Sequence, residues 1–463
     1  MSRTPSHPAS TGIRHLALAL ACLAFGPAAH AAAGDLDPSF GKGGRVMTGF
    51  GPSADLANAV AVQADGKLVV VGTTYTDNDF SNEDFAIARY LPDGRLDKTF
   101  GTGGRVTTDF PGLAAVASSV VIQPDGKIVV AGGAFPTFTF AGDFKLARYN
   151  PDGSLDASFG EGGIATTSFG GGSFASAVAL LADGRIVAAG TDYSRFSFDD
   201  SSDTDFALAR YLPDGTPDTT FGDGGQVSTD FDGFDDDALS VLVQPDGRIV
   251  AVGSAKNPVD YFDFAVARYL KNGKLDTSFG TAGRVHTDFG DHGFDRARSA
   301  ALQADGHIVA AGFAITLDGA TSNFALARYD TAGHLDTSFS GDGLKQVTFG
   351  SCCQSAAHVL VQDDGRIVVA GYPDSESSDS DFTLARLNAN GSLDASFGSG
   401  GRVRTSFGDL NGGARGAALQ PDGKIVAVGF QATPTRKQVQ FAIARYLGAD
   451  HDAQDAPVRG ESR

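Results

Sequence analysis

Carboxylates are the side chains of this 463-residue sequence best placed to do chemistry. They gather in four clusters: Thr76 to Asp84 (TDNDFSNED), Asp199 to Asp205 (DDSSDTD), Asp230 to Asp237 (DFDGFDDD) and Asp374 to Asp381 (DSESSDSD). Ca²⁺ takes several oxygen ligands in flexible geometry, and closely spaced aspartates supply them. Asp230, Asp232, Asp235 and Asp237 are the candidate metal ligands, and Ca²⁺ is the one cofactor the sequence suggests. No cluster completes an Asp-x-Asp/Asn-x-Asp-Gly loop with a distal acid, so each also reads as a solvated acidic loop. A pair of carboxylates can hydrolyse glycosides, but aspartate is too abundant here for any one pair to stand out. The chain has no tryptophan, so only Tyr and Phe remain as sugar-stacking platforms.

Other chemistries are poorly represented. His286, His292, His307, His334, His358 and His451 are scattered with no ligand-like spacing. There is no Gly-x-Ser-x-Gly elbow, phosphate-binding glycine loop or His-Glu-x-x-His. Cys352 and Cys353 are adjacent, which rules out a disulfide framework or a four-cysteine zinc site. They form either a vicinal disulfide or two thiols.

The elements that must position these residues are repeats. Seven copies begin at Leu36, Leu96, Leu155, Pro217, Leu275, Leu335 and Leu393. In the second copy, LDKTFGTGGRVTTDF is followed by SSVVIQPDGKIVVAGG, a variable stretch, and DFKLARYNPDGS. "SVVIQ" and "KIVVAG" flank Pro124-Asp125-Gly126, a tight-turn tripeptide, and predict a hairpin. "DFKLARY" predicts a third strand and "GRVTTDF" a half-exposed fourth. Four antiparallel strands repeated seven times match a seven-bladed β-propeller, an all-β fold. The first copy opens on fourth-strand sequence and the last stops after a third strand. Pairing Arg45 to Phe50 into the last blade therefore closes the ring and removes exposed sheet edges.

Two spacings are constant: eleven positions from the third-strand Arg to the next Phe, and seven from the hairpin Asp to the Gly ending the second strand. The second-to-third-strand loops vary, and binding usually resides on such loops. They carry the acidic clusters and the aromatics Tyr75, Phe80, Phe135, Phe138, Phe140, Tyr193, Phe196, Phe198, Tyr261 and Phe262. In the longest loop, Tyr193, Phe196, Phe198, Asp199, Asp203 and Asp205 are the ligand-face candidates. The same rings could instead fold back over the blade tops.

The third-strand arginine recurs in every copy, and by alternation Arg89 shares a face with Phe85 and Ile87. A buried charge needs a partner. An aspartate follows at eight positions, predicting bidentate pairs Arg89–Asp97 and Arg148–Asp156. Ring closure supplies Arg445 with Asp37.

Residues 1–31 read as a signal peptide, with Arg3 and Arg14 before an apolar run from Leu16 to Leu23 and Ala29-His30-Ala31 as the cleavage site. Cleavage would leave 34 basic against 55 acidic residues, a net charge of −21. Nucleic acid and anionic membranes are unsuited to such a surface. A periplasmic or secreted monomer is expected, with the propeller over 32–447 and a polar, disordered tail over 448–463.

The Leu-Asp-x-Ser/Thr-Phe-Gly-x-x-Gly, Gln-Pro-Asp-Gly-Lys-Ile-Val and Phe-Ala-Leu-Ala-Arg-Tyr blocks resemble the delta-60 repeat family from Leu36 to about Leu447. Pro217, Ser340 and Cys352-Cys353 depart from its pattern. The resemblance implies a bacterial exported or surface protein with a propeller-like domain of unknown function, and brings no catalytic residues. The expected role is a non-enzymatic scaffold that binds an extracellular or periplasmic protein, a glycan or a cation through its variable acidic face. A propeller hydrolase or lyase acting on an extracellular polymer is the alternative.

Overall fold

The structure is a computed structural model. It describes residues 31–51, 53–75, 82–136, 142–195, 203–257, 261–290, 293–316, 321–350, 354–373, 382–408, 412–432 and 438–449. Residues 1–30 of the leader, Cys352, Cys353, the 374–381 cluster, Phe196, Phe198, Asp199 and the tail from 450 onward lie outside them.

Twenty-eight strands form seven four-stranded antiparallel sheets, the blades of a propeller. The first blade takes Asp55–Val62, Leu68–Tyr75, Glu83–Tyr90 and Arg105–Thr108 from the axis outward. The last takes Gly412–Leu419, Ile425–Ala432 and Val439–Tyr446. Its outer strand is Arg45–Thr48, antiparallel to Val439–Tyr446 with Arg45 opposite Ala444 and Thr48 opposite Phe441. The ring thus closes as the phase of the repeat predicts. Among the described residues, no helix is long and apolar enough to cross a membrane.

The core lies between blades rather than within them. Each of seven buried clusters draws on two adjacent sheets: Val187, Phe206 and Leu208 of the third blade, for example, meet Val241, Ile249 and Ala251 of the fourth. A single blade cannot cover its own faces, so the ring must form as a unit.

At five blade boundaries, a third-strand tyrosine is hydrogen-bonded to a fourth-strand threonine of the preceding blade, as in Tyr149 with Thr108 (2.7 Å) and Tyr446 with Thr405 (2.9 Å). At the fifth-to-sixth boundary the same positions hold Leu387 and Val347, both buried. Both polar partners have been exchanged together, which avoids an orphaned buried hydroxyl.

All seven innermost strands carry a bulge at the same place, with the register shifting across residues 58, 118, 176, 239, 298, 357 and 415. The bulge explains the glycine kept in every second strand, which lies inside the strand rather than at its end as the repeat spacing suggested, Gly72 within Leu68–Tyr75 and Gly253 within Ile249–Lys256. A Cβ at Gly253 would sit 1.8 Å from the Asp237 carbonyl oxygen across the hairpin. Gly253→Ala should therefore destabilise the fold by about 3 kcal/mol, at the upper end of overpacking costs. Gly51→Ala, where a Cβ would meet nothing within 4 Å, should be near neutral. Urea unfolding of the two variants checks this, and equal stabilities would contradict it.

Candidate functional site

The recurring arginines are buried on the face of constant loops. Each Nε donates to the aspartate eight positions on, at 2.7 to 3.0 Å, and Arg445 reaches Asp37 across the closure. The pairing differs from the bidentate geometry expected from sequence. Arg148 gives Nε to Asp156 Oδ2 (2.7 Å), Nη2 to Ser158 Oγ (3.2 Å) and Nη1 to the carbonyl of Pro213 in the next blade. Asp156 Oδ1 is already taken by the Ser158 backbone N–H and hydroxyl, leaving one oxygen for the guanidinium. Arg89 reaches the Pro151 carbonyl in the same way, and Arg445 reaches Pro92, so these bonds run from blade to blade around the ring. Each guanidinium also lies over the repeat phenylalanine, 4.6 Å from the Phe159 ring in the case of Arg148. Burial pushes the Asp156 carboxyl up, but hydrogen bonds from Lys127 and Ser158 and the Arg148 charge outweigh it and hold it well below the usual range. The network joins blades, and its donors and acceptors are spent on one another; beside it a shallow cleft of about 600 Å³ opens between neighbouring hairpins, lined by Asp183, Arg185, Arg210, Asp246 and Lys271.

The axis is different. The bulges turn one side chain per blade into a cavity of about 480 Å³: Asn58, Ser118, Ser176, Leu239, Arg298, Ala357 and Arg415. His358 and Tyr372 also line it, and among the described residues none of its lining side chains is acidic. Arg298 Nη1 donates to the Tyr372 hydroxyl at 2.9 Å, and Arg415 Nη1 donates to Asn58 Oδ1 at 2.9 Å. Arg298 stacks 5.2 Å from the Phe313 ring, and Arg415 stacks 4.9 Å from Phe430. Burial lowers the pKa of Arg415, and the Arg298 charge lowers it further. Burial likewise pushes His358 down to about 4, and its Nδ1 has no hydrogen-bond partner. Sequence reasoning missed this ring. Two arginines stand at repeat-equivalent positions of innermost strands otherwise rich in Ala, Val and Ser, and that was the available signal.

The acidic residues sort themselves by strand face. Of the four candidate metal ligands, only Asp230 joins a group whose carboxylate oxygens lie within 4.8 Å of one another, and its companions are Asp203 and Asp205. Asp232 faces the His286 ring at 3.2 Å. Asp237 pairs with Arg296 and accepts from Ser254 Oγ at 2.5 Å. Asp235 precedes the strand Asp236–Val243, and its carbonyl accepts from the Lys256 N–H at 2.9 Å. Asp236, absent from the candidate set, is fully buried beside the cluster. Burial and the charges of Asp230, Asp205 and Asp203 push its pKa up to about 9.

The described loop aromatics are half-buried: Tyr75, Phe135, Tyr193, Tyr261 and Phe262. Phe262 packs on Phe294 of the next blade at 4.9 Å between centroids. Covering the blade tops is the role their positions support.

With ring, closure and axial cavity in view, the protein is a seven-bladed β-propeller. Segments 63–100, 123–159, 181–221, 244–279, 303–339 and 362–397 match the family model described as "Domain of unknown function (DUF5122) beta-propeller". The chain carries the repeats of that family, a description compatible with the resemblance read from the sequence. A seventh unit is split between the chain's two ends by the closure. No curated protein matches the chain. Similar solved structures include a protein of unknown function from Dyadobacter fermentans, 12% identical over 89% of this chain and 100% of that one, with TM-score 0.49. A catalytically inactive virginiamycin B lyase from Staphylococcus aureus with quinupristin is 10% identical over 86% and 98%, with TM-score 0.47. A mutant NanB sialidase from Streptococcus pneumoniae is 11% identical over 88% and 70%, with TM-score 0.42. Likenesses at this level assign neither ligand nor reaction.

Proposed function

We propose that this chain is an exported, non-catalytic binding scaffold and that its ligand presents a carboxylate or similar small anion to the axial cavity. The observation that carries this reading is the pair Arg298 and Arg415, two guanidiniums in a lining that holds no acidic side chain among the described residues, in a protein of net charge −19. Their hydrogen bonds within the ring go to a neutral hydroxyl and a neutral amide. A guanidinium has five N–H donors in a fixed fork that suits planar oxyanions. The serine hydroxyls and Asn58 add neutral polar groups of the kind that orient a sugar or other polyol. A hydrolase or lyase would need a carboxylate pair and a base over the channel, whereas the lining offers His358 and no carboxylate.

Isothermal titration with glucuronate, citrate and inorganic phosphate, with glucose as the neutral control, tests the proposal. At least one anion should bind while glucose does not. Arg298→Ala and Arg415→Ala should each weaken binding about tenfold to a hundredfold, the value of a charged hydrogen bond. His358 is neutral at pH 7, and a bound anion favours its protonation, so affinity should rise as pH falls from 7 toward 5. Wild-type affinity in the double arginine variant would exclude the cavity as the site.

A further inference from the structure

We propose that the junction of the third and fourth blades is a Ca²⁺ site formed by Asp203, Asp205, Asp230 and Asp236. It is separate from the axial cavity and shares no residue with it. Asp203 and Asp205 open the strand Asp203–Tyr211 two residues apart, on one face. Asp230 follows the adjacent strand Gln226–Thr229, whose Thr229 lies opposite Phe206. Carboxylate oxygens of these three lie within 4.8 Å of one another, so an ion at their centre stands at most about 2.8 Å from each, and small side-chain rotations bring that to the roughly 2.3–2.6 Å of a Ca²⁺ shell. Mg²⁺ needs a tighter shell of roughly 2.0–2.1 Å.

The independent observation is Asp236, which opens the first strand of the fourth blade. It is 0% exposed. Its Oδ2 accepts from the Phe231 N–H at 2.7 Å, while its buried Oδ1 has no hydrogen-bond partner. Thr204, which stands between Asp203 and Asp205, donates its hydroxyl to the Asp236 carbonyl at 3.0 Å, and Phe231 directly follows Asp230, so the Asp236 carboxyl stands beside the cluster.

The other blades show that the fold does not need this concentration of acid. The Phe231 N–H contact recurs as Phe50 N–H to Asp55, Phe289 N–H to Asp295 and Phe349 N–H to Gln354, at 2.8 to 2.9 Å. At the last of these an amide does the carboxylate's work, and Asn323 and Thr348 stand where Asp205 and Asp230 would be. In the first blade, Asp55 gives its second oxygen to Thr74 Oγ at 2.6 Å, and Gly49 and Gln440 occupy the companion positions. Asp236 has acquired the surrounding carboxylates without such a donor. The next junction repeats the pattern with Asp263, Asp288 and Asp295, whose oxygens also lie within 4.8 Å. There Tyr261 stands in place of Asp203, so this neighbouring site has one acid fewer.

The test uses the full mature chain stripped with EDTA, in an Asp288→Asn background that disables the neighbouring cluster. Ca²⁺ should bind with one-to-one stoichiometry by calorimetry and raise the melting temperature, and Mg²⁺ should do so at least tenfold more weakly. Asp236→Asn and Asp230→Asn should each weaken Ca²⁺ binding at least tenfold. Asp230 is only half-buried, so its variant remains decisive if Asp236→Asn fails to fold. No heat and no melting shift with Ca²⁺, equal binding of Mg²⁺, or wild-type affinity in Asp230→Asn would each overturn the assignment.

Discussion

A chain lacking residues 32–50 should fail to show the cooperative melting transition of the mature protein. The deletion removes the outer strand Arg45–Thr48 and leaves Val439–Tyr446 as an open edge. It also removes Phe40, fully buried between the first and last blades among Leu68, Val70, Val426 and Ile443. Losing such a phenylalanine costs about 3–5 kcal/mol. Arg445 would lose Asp37 and Ser39 together, while its Nη1 still faces the Pro92 carbonyl of the first blade. Breaking a buried ion pair from one side adds about 3–5 kcal/mol. The sum approaches or exceeds the roughly 5–15 kcal/mol that holds a typical domain together. Circular dichroism melting of the truncated and mature chains decides it, and coincident curves would show that closure contributes nothing to stability.

Asp156→Ala should cost about 3–5 kcal/mol, because it strands the buried Arg148 and also removes the acceptor of Lys127. Ser158 loses the oxygen that held both its N–H and its hydroxyl, freeing the turn before Phe159. Urea unfolding at pH 7 measures the loss, and a cost near zero would mean the network is ornamental. Acid supplies a second readout. Asp37, Asp97, Asp156, Asp218, Asp276, Asp336 and Asp394 are all held below the ordinary aspartate value. A carboxyl whose pKa is depressed on folding contributes stability above its unfolded pKa, and loses it as pH falls through the folded value. The protein should therefore keep its stability from pH 7 to about 5 and lose it progressively below about 4. The gap between wild type and Asp156→Asn should narrow over the same window. A gap that widened in acid would reverse the assigned sign.

The sequence by itself determined the ring. Each strand, turn and spacing is written seven times, and local rules suffice to read it: Pro124-Asp125-Gly126 sets a hairpin, and Val106, Thr108 and Phe110 alternate with Arg105, Thr107 and Asp109. The misplaced phase of the first and last copies even specified which strand closes the last blade. The partnership of arginine and aspartate eight residues apart was legible too, because the arginine stands near the end of the third strand and the aspartate in the constant loop that follows it.

Only the tertiary structure decided where the special chemistry lies, because that chemistry is assembled between blades. The third nitrogen of each arginine reaches a carbonyl of the next blade, as Arg148 reaches Pro213 65 residues on and Arg445 reaches Pro92 across the closure, contacts no spacing within one repeat reveals. The bulges rotate Arg298 and Arg415 from nominally apolar strands into the channel, a change of direction that an alternating pattern does not encode. The consecutive acids Asp235, Asp236 and Asp237 point different ways because a strand sends successive side chains to opposite faces. Asp237 meets Arg296, while Asp236 is fully buried, its carboxylate accepting the Phe231 N–H and its carbonyl the Thr204 hydroxyl, both contributed by the preceding blade's end. Proximity along the chain grouped Asp230 with Asp232, Asp235 and Asp237. The packing of one sheet against the next grouped it with Asp203, Asp205 and Asp236 instead.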